Sequence, residues 1–198
     1  GVKAAVVDRD MWLLGTDDYL EVADDSQLDF AGDEALTMMV FGRTYDKSPV
    51  ANEVIAAKKN GITATNAGYI IYNRSAGDNI AGRITDGIND ALDNSSTDLV
   101  DGQAFIVGIV RDISGDVLET FLDSVGSGSP AVDTSTLTLA NAVPFRIGAD
   151  SGISPADFAD IEIFATVLWR EALSDADIVT AGIELDIISP TFIKLNVW

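Results

Sequence analysis

The sequence predicts an all-β protein, two antiparallel sheets packed as a sandwich, with one short helix near the C-terminus. Apolar or alternating runs of strand length recur along the chain between turn signals. Asp outnumbers Glu 25 to 7. Asp suits turns, where its short side chain accepts from nearby backbone N–H groups, whereas Glu suits helix interiors. One stretch, 174–185, reads as a good helix: Ser174 is its N-cap, Asp175 and Asp177 lie in the positive first turn, and Ile178 and Ile183 can pack downward. At 198 residues and 47% hydrophobic, the chain fits one domain with a substantial core.

In chain order, strands are expected near 11–14, 19–22, 35–43, 53–58, 68–73, 79–85, 104–112, 117–124, 145–148 and 161–169. Ser114-Gly115, flanked by Asp112 and Asp116, is a hairpin signal, and Asp86-Gly87 and Asp101-Gly102 mark two further reversals. Segments 88–99 and 124–137 are rich in Ser, Thr, Asn, Asp and Gly and read as loops. The sandwich is expected to span 1–186. The remainder, 187–198, is an apolar tail or last strand, laid on this sandwich or on a neighbour. Phe192, Ile193, Leu195 and Trp198 are its expected interface residues.

Composition removes several classes of function. There is no Cys, hence no disulfide or thiol chemistry. There is no His, which removes Ser-His-Asp triads and the usual zinc, copper and haem ligands. A formal charge of −20 without a basic block repels nucleic acid and anionic membranes. No apolar run has the roughly 18 residues a membrane span requires. The N-terminus shows no signal-peptide pattern, and a leader removed before Gly1 stays open.

Three blocks carry a resemblance. The first runs from Thr16 to Phe30, with Asp24-Asp25 as a turn before Leu28-Asp29-Phe30, and the apolar run from Ala35 to Phe41 follows it. The second is the pair Asp101 to Asp112 and Leu118 to Asp123. The third is Val143-Pro-Phe-Arg-Ile-Gly-Ala-Asp150, followed by Trp169-Arg-Glu-Ala-Leu-Ser-Asp-Ala-Asp-Ile178. In this order they resemble laminin-G-like, concanavalin A-like jelly rolls over about 11–181, most of the chain. The chain departs from that pattern at Ala104-Phe105-Ile106, where the family has Trp-His-His, at Ser124, where it has Gly, and at Ala165, where it has an acid. In style it is also similar to jelly rolls carried by bacteriophage virion proteins.

The resemblance implies a non-catalytic binding and assembly domain on a virion or a cell surface, either homo-oligomeric or part of a larger assembly. Its implied partners are neighbouring subunits and surface glycans. Two alternatives stand beside it: a lectin-like adhesin domain without a virion role, and a jelly-roll glycoside hydrolase. For sugar recognition the candidate rings are Tyr45, Tyr69 and Tyr72, because an aromatic face stacks on a pyranose while acids hold its hydroxyls. Tyr69 and Tyr72, an odd number apart, face opposite sides of a regular strand. For calcium the candidates are Asp24, Asp25, Asp123 and Asp150, acids at strand ends where loops can converge. For hydrolysis the nearest carboxylates are Asp157, Asp160 and Glu162, of which Asp160 and Glu162 share a face.

Overall fold

A computed structural model of the chain describes residues 3–5, 12–14, 17–47, 49–75, 77, 79–188 and 195–197, with side chains over most of 17–183. In chain order the strands are β1 Lys3–Ala5, β2 Trp12–Leu14, β3 Leu20–Val22, β4 Leu36–Thr44, β5 Glu53–Lys58, β6 Gly68–Asn73, β7 Asn79–Thr85, β8 Asp90–Asp98, β9 Ala104–Asp112 and β10 Val117–Leu122. They continue with β11 Val125–Gly126, β12 Ala131–Val132, β13 Phe145–Ile147, β14 Ile161–Trp169, the helix α1 Asp175–Ile188 and β15 Leu195–Val197. Sheet A has the order β1-β15-β14-β4-β9-β10-β11, with β2 also on β14 and β12 also on β10; sheet B has the order β3-β13-β5-β6-β7-β8. Pairing is antiparallel except between β14 and β15, which α1 joins. The expected all-β jelly-roll sandwich with a short C-terminal helix is the fold.

Side-chain alternation builds the layers. On β4, Met38 and Val40 enter the space between the sheets, where they meet Val107 and Ile109 of β9 and Ile71 and Ile84 of sheet B. Their neighbours Met39 and Phe41 point the other way, into a second cluster with Val110, Phe121, Phe164 and Ile178 of α1. Trp169 belongs to this outer cluster and not to the sandwich interior, because its register on β14 places it beyond Leu168, which does face inward. Gly82 permits the closest approach of the sheets: a Cβ there would strike Ile109 and Thr120.

Segment 88–99, read as a loop from its composition, contains the edge strand β8. Only Ala91 and Leu92 are apolar in it, so hydrophobic periodicity could not reveal it. Its inward polar groups are satisfied: Asp93 accepts from the Thr120 N–H, and Ser95 accepts from the Ile80 N–H while donating to the Thr97 carbonyl. A polar edge also discourages pairing with other chains. Within 124–137, the short strands β11 and β12 both lean on β10. Helix α1 begins as its cap predicts, with Ser174 Oγ accepting from the Asp177 N–H.

One end of the sandwich is closed by residues 24–34 and 133–141, fastened by buried charges. Arg111, facing inward from β9 and fully buried, spends all five of its N–H donors. Nε donates to Asp133 at 2.7 Å, Nη1 to the carbonyls of Ala31 and Glu34, and Nη2 to those of Gly32 and Ser135. Lys58, equally buried on β5, donates to Asp24 at 2.7 Å, to Asp29 at 2.8 Å and to the Asn141 carbonyl. Asp86 accepts from the N–H groups of Ile88, Asn89, Thr136 and Leu137. Burial pushes its carboxyl up, but these donors outweigh it and hold the group well below the usual carboxylate range. Gly32 lies so close to the Thr136 carbonyl that a Cβ would collide with it.

Replacing Arg111 by Met would strand Asp133 without its cation and take the guanidinium donors from four carbonyls, of which Ala31's keeps the Glu34 N–H. Guanidinium unfolding is expected to show a loss on the order of 3–5 kcal/mol. A variant within about 1 kcal/mol of the parent, the range of an exposed ion pair, would show that this staple holds nothing.

Candidate ligand-recognition site

Of the three candidate tyrosines, two belong to packed layers. Tyr69 is fully buried, its ring edge-on to Phe30 and its hydroxyl donating to the Leu28 carbonyl. It is a core residue with no face to offer a sugar. Tyr72, on the outer side of sheet B, is only 5% exposed and packs with Val54, Ala57, Ile70 and Ala81. Tyr45, just beyond β4, is 47% exposed.

The four candidate calcium acids are dispersed, each on its own structural duty. Asp24 pairs with Lys58, and Asp25 caps a short 3-10 turn by accepting from the Gln27 N–H. Asp123 accepts from the Ile106 N–H, and Asp150 fastens two loops by accepting from Gly61 and Ala156. Among the described residues no three acidic side chains are placed to hold a metal ion. Of the tail residues, Leu195 lies in β15, paired with Thr166 of the chain's own sheet. Phe192, Ile193 and Trp198 lie outside the described residues.

Tyr45 marks the end of the sandwich opposite the Arg111 staple, where β4 and β6 finish and β5, β9 and β14 begin. Its hydroxyl donates to Glu162 Oε1 at 2.7 Å, and Arg43 Nη1 lies 3.3 Å from Glu162 Oε2. The Glu162 side chain is 6% exposed, so the ring is pinned from below by a neutralised, buried carboxylate. Arg43 also stands 5.8 Å from the Phe164 ring centroid. This is the one place where the acids considered for hydrolysis touch a candidate tyrosine, and Glu162 there serves as an anchor.

Further acceptors lie at the same end of the sandwich. Glu53 begins β5 directly opposite Asn73 of β6, and paired positions share one face of the sheet. Asn73 Nδ2 donates to the Asp46 carbonyl, and the Asp101 carboxylate accepts from the Lys47 N–H. Burial, together with repulsion from Asp46 and Asp160, pushes the Glu53 carboxyl up to about 7. Farther along this side, Tyr19 is 37% exposed, with Arg146 Cζ 4.7 Å from its ring centroid and Phe158 beyond it.

Sequence reasoning missed Glu53, Asn73 and Tyr19. Each looked like an ordinary strand-end residue, and the groups that give it meaning come from other strands. The nearest available signal was the alternation of Asp160 and Glu162, which pointed to the right edge of sheet A but not to its partners. Two cavities lie elsewhere. One, about 410 Å³, is between Ile106 and the exposed Val179 and Ile183 of α1; the other, about 460 Å³, is beside Asp116, Val132 and Thr136. Neither is lined by Tyr45.

No family model matches the chain, and no curated protein sequence does. Solved structures do share its fold. The K499G mutant of NanB sialidase from Streptococcus pneumoniae aligns at TM-score 0.65 and 15% identity, over 90% of this chain and 27% of that one. The binding domain of botulinum neurotoxin serotype D aligns at 0.60 and 14%, over 92% of this chain and 46% of that one. The CBM40 of Ruminococcus gnavus IT-sialidase, bound to α2,6-sialyllactose, aligns at 0.57 and 11%, over 85% of this chain and all of that one. This chain thus spans about a quarter of the NanB sialidase chain. At these identities the likeness establishes a jelly-roll fold and leaves the ligand to the residues.

The raised Glu53 carboxyl gives the open end a pH signature. Its ordinary value near 4.5 becomes about 7 in the fold. Between those values the folded chain holds a proton that the unfolded chain has released, so this group's contribution to stability falls as pH rises through that window. Glu53→Gln is therefore expected to match the parent's melting temperature near pH 4 and to exceed it by a few degrees at pH 8. Equal melting at both pH values would mean that Glu53 ionises freely.

Proposed function

We propose that the chain is a non-catalytic glycan-binding module that presents Tyr45 and the acceptors beside it to a sugar. The observation that carries this reading is the exposed Tyr45 ring held by its hydrogen bond to the buried Glu162, which Arg43 also pairs. A ring fixed before binding loses little freedom when a pyranose stacks on it, which lowers the cost of association. Glu53 and Asp160, at the same end of the sandwich, can accept from hydroxyl groups. Two of the fold's neighbours lend support: a CBM40 whose structures carry sialyllactose, and a neurotoxin binding domain.

The style shared with virion-associated jelly rolls suits such a module on a particle or cell surface, where recognition is combined with assembly. Among the described residues no helix is long and apolar enough to cross a membrane.

One observation favours hydrolysis as a second reading: Glu53, pushed up to about 7 beside Asp160, has the character of a general acid. Against it, Glu162 is neutralised by Arg43 and held by Tyr45.

A glycan array probed with the intact chain is expected to give defined hits. Tyr45→Ala should weaken them by about tenfold or more, the worth of one well-placed stacking contact, while Tyr72→Phe leaves them unchanged. A blank array at high protein concentration contradicts the proposal. Release of reducing sugar that stops with Glu53→Gln would establish the hydrolytic reading instead.

A further inference from the structure

We propose that Lys58 and Asn141 become covalently joined, their side chains condensing to an isopeptide bond with release of ammonia. The inference concerns the stapled end and does not depend on what the open end binds. It starts from the contacts of one atom. Lys58 Nζ, on a fully buried side chain, has four oxygens around it. They are Asp24 Oδ1 at 2.7 Å, Asp29 Oδ1 at 2.8 Å, the Asn141 carbonyl at 2.8 Å and Asn141 Oδ1 at 3.3 Å. An ammonium has three hydrogens, so the longest of these contacts has no hydrogen to itself. That contact leads to the Asn141 side-chain amide, whose Cγ is one C=O bond from Oδ1 and therefore at most about 4.5 Å from the amine nitrogen.

The amide is fixed on several sides. Its Nδ2 donates to the carbonyls of Lys58 and Ala67, both at 2.9 Å, and its Oδ1 accepts from the Val143 N–H at 3.1 Å. Gly68 makes the room: a Cβ there would lie 2.9 Å from Nδ2 and collide with the Lys58 carbonyl. Two of the surrounding groups match what acyl transfer requires. The Val143 N–H stands where negative charge develops on Oδ1 as Cγ becomes tetrahedral. Asp29 touches Nζ and also accepts from the Asn141 N–H at 3.4 Å, so it can carry a proton from the amine toward the leaving nitrogen. Holding amine and amide together in a closed site removes the entropic part of the barrier.

The step balances. Nζ passes a proton to Asp29, and its lone pair attacks Cγ to form the new C–N bond. Asp29 returns the proton to Nδ2, the Cγ–Nδ2 bond breaks, and ammonia leaves, taking up the second proton that Nζ sheds. No electron is gained or lost and no co-reactant enters. The product ties β5 to segment 133–141 across 83 positions of sequence, turning an ion-paired staple into a covalent one.

The test is mass spectrometry of the purified full chain, kept folded at neutral pH for several days. The expected species is lighter than the sequence mass by one ammonia, and a tryptic digest is expected to yield one joined peptide containing both Lys58 and Asn141. Lys58→Arg, which keeps a cation without the amine, should hold the full mass. Asp29→Asn should slow the loss by about a hundredfold or more, the scale of a positioned proton carrier. Asn60 precedes Gly61, a pair that can shed ammonia by closing on its own backbone, so Asn60→Ala is the control and should leave the loss intact.

A folded parent chain that keeps its full mass overturns the inference. So does an ammonia loss that yields no joined peptide, that survives Lys58→Arg, or that vanishes with Asn60→Ala. The peptide map of the parent decides the matter even where a variant fails to fold. Bond formation at the parental rate in Asp29→Asn would overturn the role given to that carboxylate.

Discussion

Two buried cations hold the sandwich in register, and the rest of the structure depends on them. Arg111 enters from sheet A and Lys58 from sheet B, and both grip the same two segments, 24–34 and 133–141. Those segments cross the end of the core with their carbonyls turned inward, which is tolerable only where donors meet them. A fully bonded guanidinium supplies five such donors in one rigid plane, and no apolar side chain could replace it without orphaning its partners. The strands that carry these cations also run to the far end. β9 passes from Arg111 to Ala104, paired throughout with β4 from Leu36 to Arg43. Fixing one end therefore fixes the position of Arg43, and with it Tyr45, at the other.

The two ends treat charge in opposite ways. At the stapled end, Asp24, Asp29 and Asp133 each face a buried cation. At the open end, burial together with the charges of Asp46 and Asp160 pushes the Glu53 carboxyl up. A chain of net charge −20 has few cations to distribute, and the buried ones are committed to holding loops. The Glu53 carboxyl left without a cation at that end suits a ligand that supplies donors. The outer face of sheet B is less available. Lys59 is buried there under the loop that follows β5, donating to the Asn66 carbonyl, and Arg83 donates to Ile62 of the same loop.

Most of the architecture could be read directly from residue order. Apolar alternation located the central strands, and Ser174 with Asp175 and Asp177 located the helix, because each signal is local. Strand β8 escaped because its Asp, Asn and Ser residues are strand-forming only through their pairing with β7 and the donors of β10. The candidate site was less legible still. Tyr45 was recognisable as an amphipathic ring, but its anchor Glu162 is 117 positions away. Tyr69 and Tyr72 looked equally suitable, and only the presence of a second sheet behind one and a covering loop over the other distinguishes them. Of the strand-end Asp residues that suggested calcium, Asp25, Asp123 and Asp150 accept from backbone N–H groups, an ordinary use of a short acid in a turn, and Asp24 pairs with Lys58.

A crystal structure of the chain soaked with a bound oligosaccharide tests most directly whether recognition belongs to the open end. Sugar density is expected flat against the Tyr45 ring, with polar contacts to Glu53 or Asp160 and with the Arg111 end unchanged. Density on the outer face of sheet B, in the cavity beside α1, or near Asp116 and Thr136 would contradict the division of labour between the two ends.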